Sequence, residues 1–159
     1  MPSLRTLLVL GRVSNLPTVW SNCLAGWWLG GGGNFAKLPF LFLGTTLLYV
    51  GGMYLNDACD ADFDRQHRPE RPIPSGAISL PTVWRIGLSL LLLGNAALFL
   101  SSRTAGIFGG VLALNILLYD AAHKAVAFAP LLMGACRFWV YVIAAAAGTG
   151  GVTGGAVWC

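Results

Sequence analysis

Five of the chain's six acidic residues, Asp57, Asp60, Asp62, Asp64 and Glu70, follow directly on an uncharged apolar run, Leu38 to Leu55. With Asn56 they read Asn56-Asp57-x-x-Asp60-x-x-x-Asp64. On a continuous helix, at about 100° per residue, Asp57, Asp60 and Asp64 lie within roughly 60° of one another, and Asn56 widens that arc to about 100°. Asp62 points to the other side. One face of a helix end therefore carries three carboxylates and an amide oxygen, all hard oxygen ligands. Left alone the carboxylates repel each other. A divalent cation removes that repulsion, so Asn56, Asp57, Asp60 and Asp64 are the candidate metal ligands.

Three chemistries compete for this stretch. A solvated helix end gives no reason for the acids to share a face. A calcium loop matches at Asp60-x-Asp62-x-Asp64 but fails at its sixth position, Arg65 where glycine is needed, and at its twelfth, Arg71 where a bidentate glutamate is needed. Mg²⁺ holding a diphosphate fits better, because Mg²⁺ takes one or two carboxylates together with phosphate oxygens and water. Arg65, Arg68 and Arg71 follow at once and suit the phosphate oxygens that a metal leaves free.

Asn56-Asp57-x-x-Asp60-x-x-x-Asp64, followed by Arg71-Pro72-Ile73-Pro74-Ser75-Gly76, resembles the first aspartate-rich motif of the UbiA superfamily of intramembrane prenyltransferases. The resemblance implies an all-α, polytopic transmembrane helical bundle that uses Mg²⁺. Its expected reaction moves a prenyl group from a prenyl diphosphate to an aromatic or other lipophilic acceptor. The superfamily has about nine spans and a second aspartate-rich motif in its C-terminal half. The chain has no acid after Asp120. The expectation is thus a single transmembrane domain, 1–159, that is the N-terminal portion of such a fold, with the C-terminal remainder of the enzyme as its complement.

Composition agrees with a membrane protein. Hydrophobic residues make up 56% of the chain, charged residues only 10%, and mean hydropathy is +0.69, which excludes an ordinary soluble domain. The net charge of +4 does not point to nucleic acid, because the basic residues flank apolar runs and do not line one soluble face. Cys23, Cys59, Cys136 and Cys159 form no zinc spacing and no disulfide framework.

In chain order, Ser3 to Arg12 reads as a short interfacial helix. Five spans follow: Asn15 to Gly33, Leu38 to Asn56, Leu80 to Ser101, Ala105 to Tyr119 (extended by Ala121 and Ala122), and Ala129 to Gly148. The stretch from Arg65 to Pro81, with its prolines, reads as a loop. Arg5, Arg12, Arg65, Arg68, Arg71, Arg85 and Lys124 then share one side, against Lys37 and Arg103 on the other. The positive-inside bias places the N-terminus and the aspartate motif in the cytoplasm. The expected location is a bacterial inner membrane, surrounded by membrane lipid.

A second constellation closes the fourth span. Asn115, Tyr119 and His123 are spaced by four, as are Asp120 and Lys124. One reading is a plain helix end with an Asp120–Lys124 surface pair. The resemblance implies another, in which a tyrosine and a lysine face the central cavity with the lysine near the diphosphate. Tyr119 and Lys124 are the candidates, though the family's Tyr-x-x-x-Lys is one residue shorter than the separation here, and Asp120 is a candidate local substitute. Arg137, about seven residues into the fifth span, costs about 2.5–3.5 kcal/mol near a bilayer centre. It either snorkels or faces the cavity to meet a diphosphate or an acid from another helix. Asn15 either caps the first span or, as the resemblance implies, faces the cavity.

The expected assignment makes Asp57, Asp60, Asp64, Lys124 and Arg137 catalytic, with Asn15, Asn56, Arg71, Tyr119 and Asp120 binding substrate. Hydroxybenzoate-like aromatics and naphthoates of isoprenoid quinone biosynthesis, porphyrin-type rings and glycerolipids all remain open as acceptors. The alternative class is a non-catalytic membrane protein, a transporter or a binder of cations or lipid diphosphates.

Overall fold

The computed structural model describes residues 2–122, 129–152 and 154. Among them are seven α-helices and no strand: α1 Leu4–Leu10, α2 Leu16–Leu29, α3 Leu38–Cys59, α4 Ala61–His67, α5 Leu80–Ser101, α6 Arg103–Ala122 and α7 Ala129–Ala147. The all-helical bundle expected from the apolar runs is the one observed.

Four helices are long and apolar enough to cross a membrane, α3 (with the turn before it), α5, α6 and α7. The expected first span is a correction. Helix α2 has 14 residues, about 21 Å at 1.5 Å per residue, short of a hydrocarbon core of about 30 Å. Its start is delayed by a 3-10 turn over Val13–Asn15. Its end is set by Gly31, Gly32 and Gly33, all with positive φ (86°, 56° and 98°), a path that residues with a Cβ rarely take.

Small residues decide how the helices approach. Gly44 and Gly51 of α3 face Gly94 and Gly87 of α5, and a Cβ at Gly44 would lie 2.9 Å from the Gly94 carbonyl oxygen. The two backbones therefore touch, as in close helix pairs within membranes. Helices α2 and α7 close in the same manner. A Cβ at Gly26 would lie 2.8 Å from the Tyr141 carbonyl oxygen, and one at Gly30 would meet the Ala145 backbone. Beyond these helices the Thr149 and Gly150 amides donate to the carbonyls of Gly32 and Gly30 at 2.9 and 2.8 Å.

The main apolar core runs between these helices through Leu41, Leu48, Leu55, Leu98, Leu112 and Ile143. A smaller cluster at the aspartate end joins Leu10, Tyr54, Ala58, Ala61, Ile73, Ile78 and Val83. Tyr54 donates its hydroxyl to the Leu7 carbonyl at 3.0 Å, which docks α1 against α3. Ile73 and Ile78 pin the loop that carries Arg71. That cluster is what brings arginines from two distant segments to one helix end.

Candidate active site

The aspartate motif is not one unbroken helix. Helix α3 ends at Cys59 and α4 resumes at Ala61, with Asp60 between them at φ −84° and ψ −5°. Hydrogen bonds still span the junction, from the Asp60 amide to the Asn56 carbonyl and from the Asp64 amide to the Asp60 carbonyl, both 2.9 Å. The facing is therefore kept. Asn56, Asp57 and Asp64 are buried, Asp60 is half-buried, and Asp62 is exposed, where it pairs with Arg65. Helix α4 also takes up residues expected in the loop, and His67 ends it, stacked on Phe63 with ring centroids 4.1 Å apart.

Arginines fill the space between the buried acids. Arg71 Nη1 donates to Asp64 Oδ2 at 2.7 Å and lies 3.5 Å from Asp57 Oδ1. Arg12 Nη2 donates to Asp57 Oδ1 at 3.0 Å and to Asn56 Oδ1 at 3.3 Å. The Asn56 amide nitrogen in turn donates to Asp120 Oδ1 at 3.2 Å, so the fourth span's acid belongs to the same network. Sequence alone marks Arg12 as a topology signal. Its contacts lie 44 and 45 positions away, a distance that no local spacing reports.

Among the described residues no three His, Cys, Asp or Glu side chains converge closely enough to hold a metal ion. The three-carboxylate face expected from helical spacing is instead a pair, Asp57 and Asp64, with a guanidinium nitrogen between them. That arrangement still suits Mg²⁺, which needs only one or two carboxylates besides phosphate oxygens and water. Two observations speak for the fit: a cationic nitrogen already bridges the pair, and Asp64 Oδ1 is buried with no hydrogen-bond partner.

A cavity of about 430 Å³ opens beside this network, within the usual size range for small-molecule sites. Helices α2, α3, α6 and α7 line it with apolar side chains, including Val19, Leu112, Ile116 and Val140, and with a few polar ones. Tyr49 lines it and donates its hydroxyl to the Arg12 carbonyl at 3.4 Å; it is the tie between cavity and motif, and sequence reasoning missed it. Asn15 lines the cavity and makes no side-chain cap to α2, so of its two readings the structure favours the cavity. Arg137 also lines the cavity and makes no ion pair among the described residues. Tyr119 is half-buried and near enough to feel the charges of Asp60, Asp120 and Arg12. Asn115 donates to the Leu132 carbonyl and to Cys136 Sγ, both at 3.0 Å, joining α6 to α7. His123 and Lys124 lie outside the described residues.

The sequence and the fold match known proteins. The model of the UbiA prenyltransferase family matches residues 15–159. A digeranylgeranylglyceryl phosphate synthase of Sulfolobus acidocaldarius is 33% identical over 125 residues, 77% of this chain and 44% of that protein. A 4-hydroxybenzoate octaprenyltransferase of Albidiferax ferrireducens is 33% identical over 116 residues, 70% of this chain and 39% of that protein. A solved structure of a digeranylgeranylglyceryl phosphate synthase superposes with a TM-score of 0.84 at 27% identity, covering 92% of this chain and 53% of the other. The chain thus spans about half the length of these relatives, or less. It is a multi-pass integral membrane protein, and it belongs to the UbiA prenyltransferase family.

Proposed function

We propose that this chain takes part in Mg²⁺-dependent transfer of a prenyl group from a prenyl diphosphate to a lipophilic acceptor. The observation that carries the reading is the buried Asp57–Asp64 pair, already bridged by a cationic nitrogen, beside an apolar cavity. Asp57 and Asp64 would hold the metal, with Asn56 and Asp60 adjoining. Bound there, Mg²⁺ supplies positive charge to the leaving diphosphate, which favours cleavage of the allylic C–O bond. Arg71 has further N–H groups free to meet phosphate oxygens. Arg137 places a positive charge within the cavity wall, where low dielectric strengthens its attraction for an anion. Lys124 and Tyr119 are proposed beside them. The apolar lining houses the isoprenoid chain and excludes water from the reacting carbon.

The basic excess on the motif side supports an orientation with that end at the cytoplasmic face of the cell membrane. The acceptors to test first are the two classes named for the relatives, a prenylated glyceryl phosphate and 4-hydroxybenzoate. The test is retention of a radiolabelled prenyl diphosphate by the protein in detergent micelles, with Mg²⁺ or with a chelator. Wild type retains it only with Mg²⁺, and Asp57→Asn and Asp64→Asn lose at least about tenfold in affinity. Metal-independent retention, or full retention by both variants, would sink the reading.

A further inference from the structure

We propose that Arg12 is an internal counter-ion that occupies the aspartate face in the metal-free protein and competes with Mg²⁺ for it. The inference rests on the metal reading above. One nitrogen of Arg12 spans Asn56 Oδ1 and Asp57 Oδ1, at 3.3 and 3.0 Å, which are the same oxygens that a cation would use. Two like charges cannot share that position in a half-buried site. Arg71 reaches the same Asp57 oxygen at 3.5 Å, so Asp57 Oδ1 is covered twice. Asp64 Oδ1 is left buried without a partner. An incoming ion therefore gains Asn56 Oδ1 and Asp57 Oδ1 only as Arg12 withdraws.

The backbone around Arg12 is built for this reach. Arg12 sits at φ 43° and ψ 46°, the one non-glycine residue with positive φ among the described residues. A residue with a Cβ holds that conformation only where its surroundings enforce it. Three hydrogen bonds do so: the Arg12 amide to the Val9 carbonyl at 3.1 Å, the Asn15 amide to the Arg12 carbonyl at 3.0 Å, and Tyr49 to the same carbonyl at 3.4 Å. The sharp corner between α1 and α2 aims the guanidinium at the end of α3. Arg12 is thus a positioning residue: it keeps Asn56 and Asp57 in place while no metal is bound, and its charge lowers the affinity for metal. A purely structural arginine would do the first and not the second.

The test is the melting temperature of the protein in detergent micelles, titrated with MgCl₂, for wild type, R12Q and R12K. R12Q should melt lower than wild type without metal, yet reach its Mg²⁺ midpoint at a concentration lower by about tenfold, the value of one charge-assisted hydrogen bond. R12K keeps a charge but not the forked geometry, and its midpoint should fall between the two. An R12Q midpoint equal to or above that of wild type overturns the inference while leaving the metal reading intact. Should R12Q fail to fold, the R12K midpoint decides by the same criterion. If Mg²⁺ moves neither wild type nor variant, the metal reading fails and this inference falls with it.

Discussion

Arg71 and Asp64 are joined by a single 2.7 Å contact across seven residues, and the Asp64 side chain keeps only 3% of its surface exposed. The ion pair closes the turn between α4 and the Ile73–Ile78 anchor. Removing one member of a buried pair leaves the other charged and uncompensated, at about 3–5 kcal/mol. Since Arg71 is a quarter exposed, Arg71→Ala is expected to cost about 3 kcal/mol, near the low end. Adding Asp64→Asn should restore part of that loss. Unfolding in mixed detergent micelles checks both, and an additive double variant would show that the pair contributes nothing.

The glycine contacts of α2 and α7 predict a second stability pattern. A Cβ at Gly148 would fall 2.3 Å from the Gly30 carbonyl oxygen, against backbone that cannot move aside cheaply. Gly30→Ala and Gly148→Ala are each expected to cost about 1–3 kcal/mol, as overpacked sites do. Gly134→Ala is the control: a Cβ there meets nothing within 4 Å, and in a helix alanine should be neutral or stabilising. Equal losses at all three positions would contradict the packing.

Cys136 lines the cavity half-buried, whereas Cys23 is wholly buried. A maleimide should therefore modify Cys136 ahead of Cys23, and the adduct should abolish retention of a prenyl diphosphate. Prior loading with Mg²⁺ and prenyl diphosphate should slow the labelling at least about fivefold, the free fraction at a few multiples of Kd. Mass spectrometry of the labelled peptides reads both effects. Labelling at an unchanged rate in the loaded protein would place the ligand elsewhere.

Tyr141 donates its hydroxyl to Asn22 at 3.1 Å between α7 and α2. Hydrogen bonds between membrane helices average about 0.6 kcal/mol. Tyr141→Phe is expected to lose about that much in the same unfolding assay, far less than the glycine substitutions. A loss above about 2 kcal/mol would mean that the hydroxyl, rather than backbone packing, fastens these helices.

The helices were legible because an apolar run long enough to cross a bilayer leaves few alternatives. Leu80 to Ser101 was read with both its ends in place, since Ser79, Pro81 and Ser102 punctuate it. Helix α2 was overestimated because its apolar run continues into Gly30, while the backbone turns away as soon as the glycines allow. Of the acidic face, the Asp57–Asp64 pair was legible from spacing. Its arginine partners were only half so: Arg71 lies seven residues from Asp64, but Arg12 reaches its partners by the chain reversal between α2 and α3. Likewise the Asn56–Asp120 contact spans 64 positions. Asp120 was singled out for its place on a helix end, and the partner it meets is set by how α3 and α6 pack.

The two ends of α2 are fastened by different means. At one end, beside the motif, side-chain ion pairs and hydrogen bonds through Arg12 and Tyr49 join its start to α3, and these can be exchanged for a cation or an anion. At the other, Gly30 and Gly148 press backbone on backbone and two amides cross from Thr149 and Gly150. A molecule widening the cavity therefore meets least resistance at the charged start of α2, which swings like the jaw of a peg about the glycines.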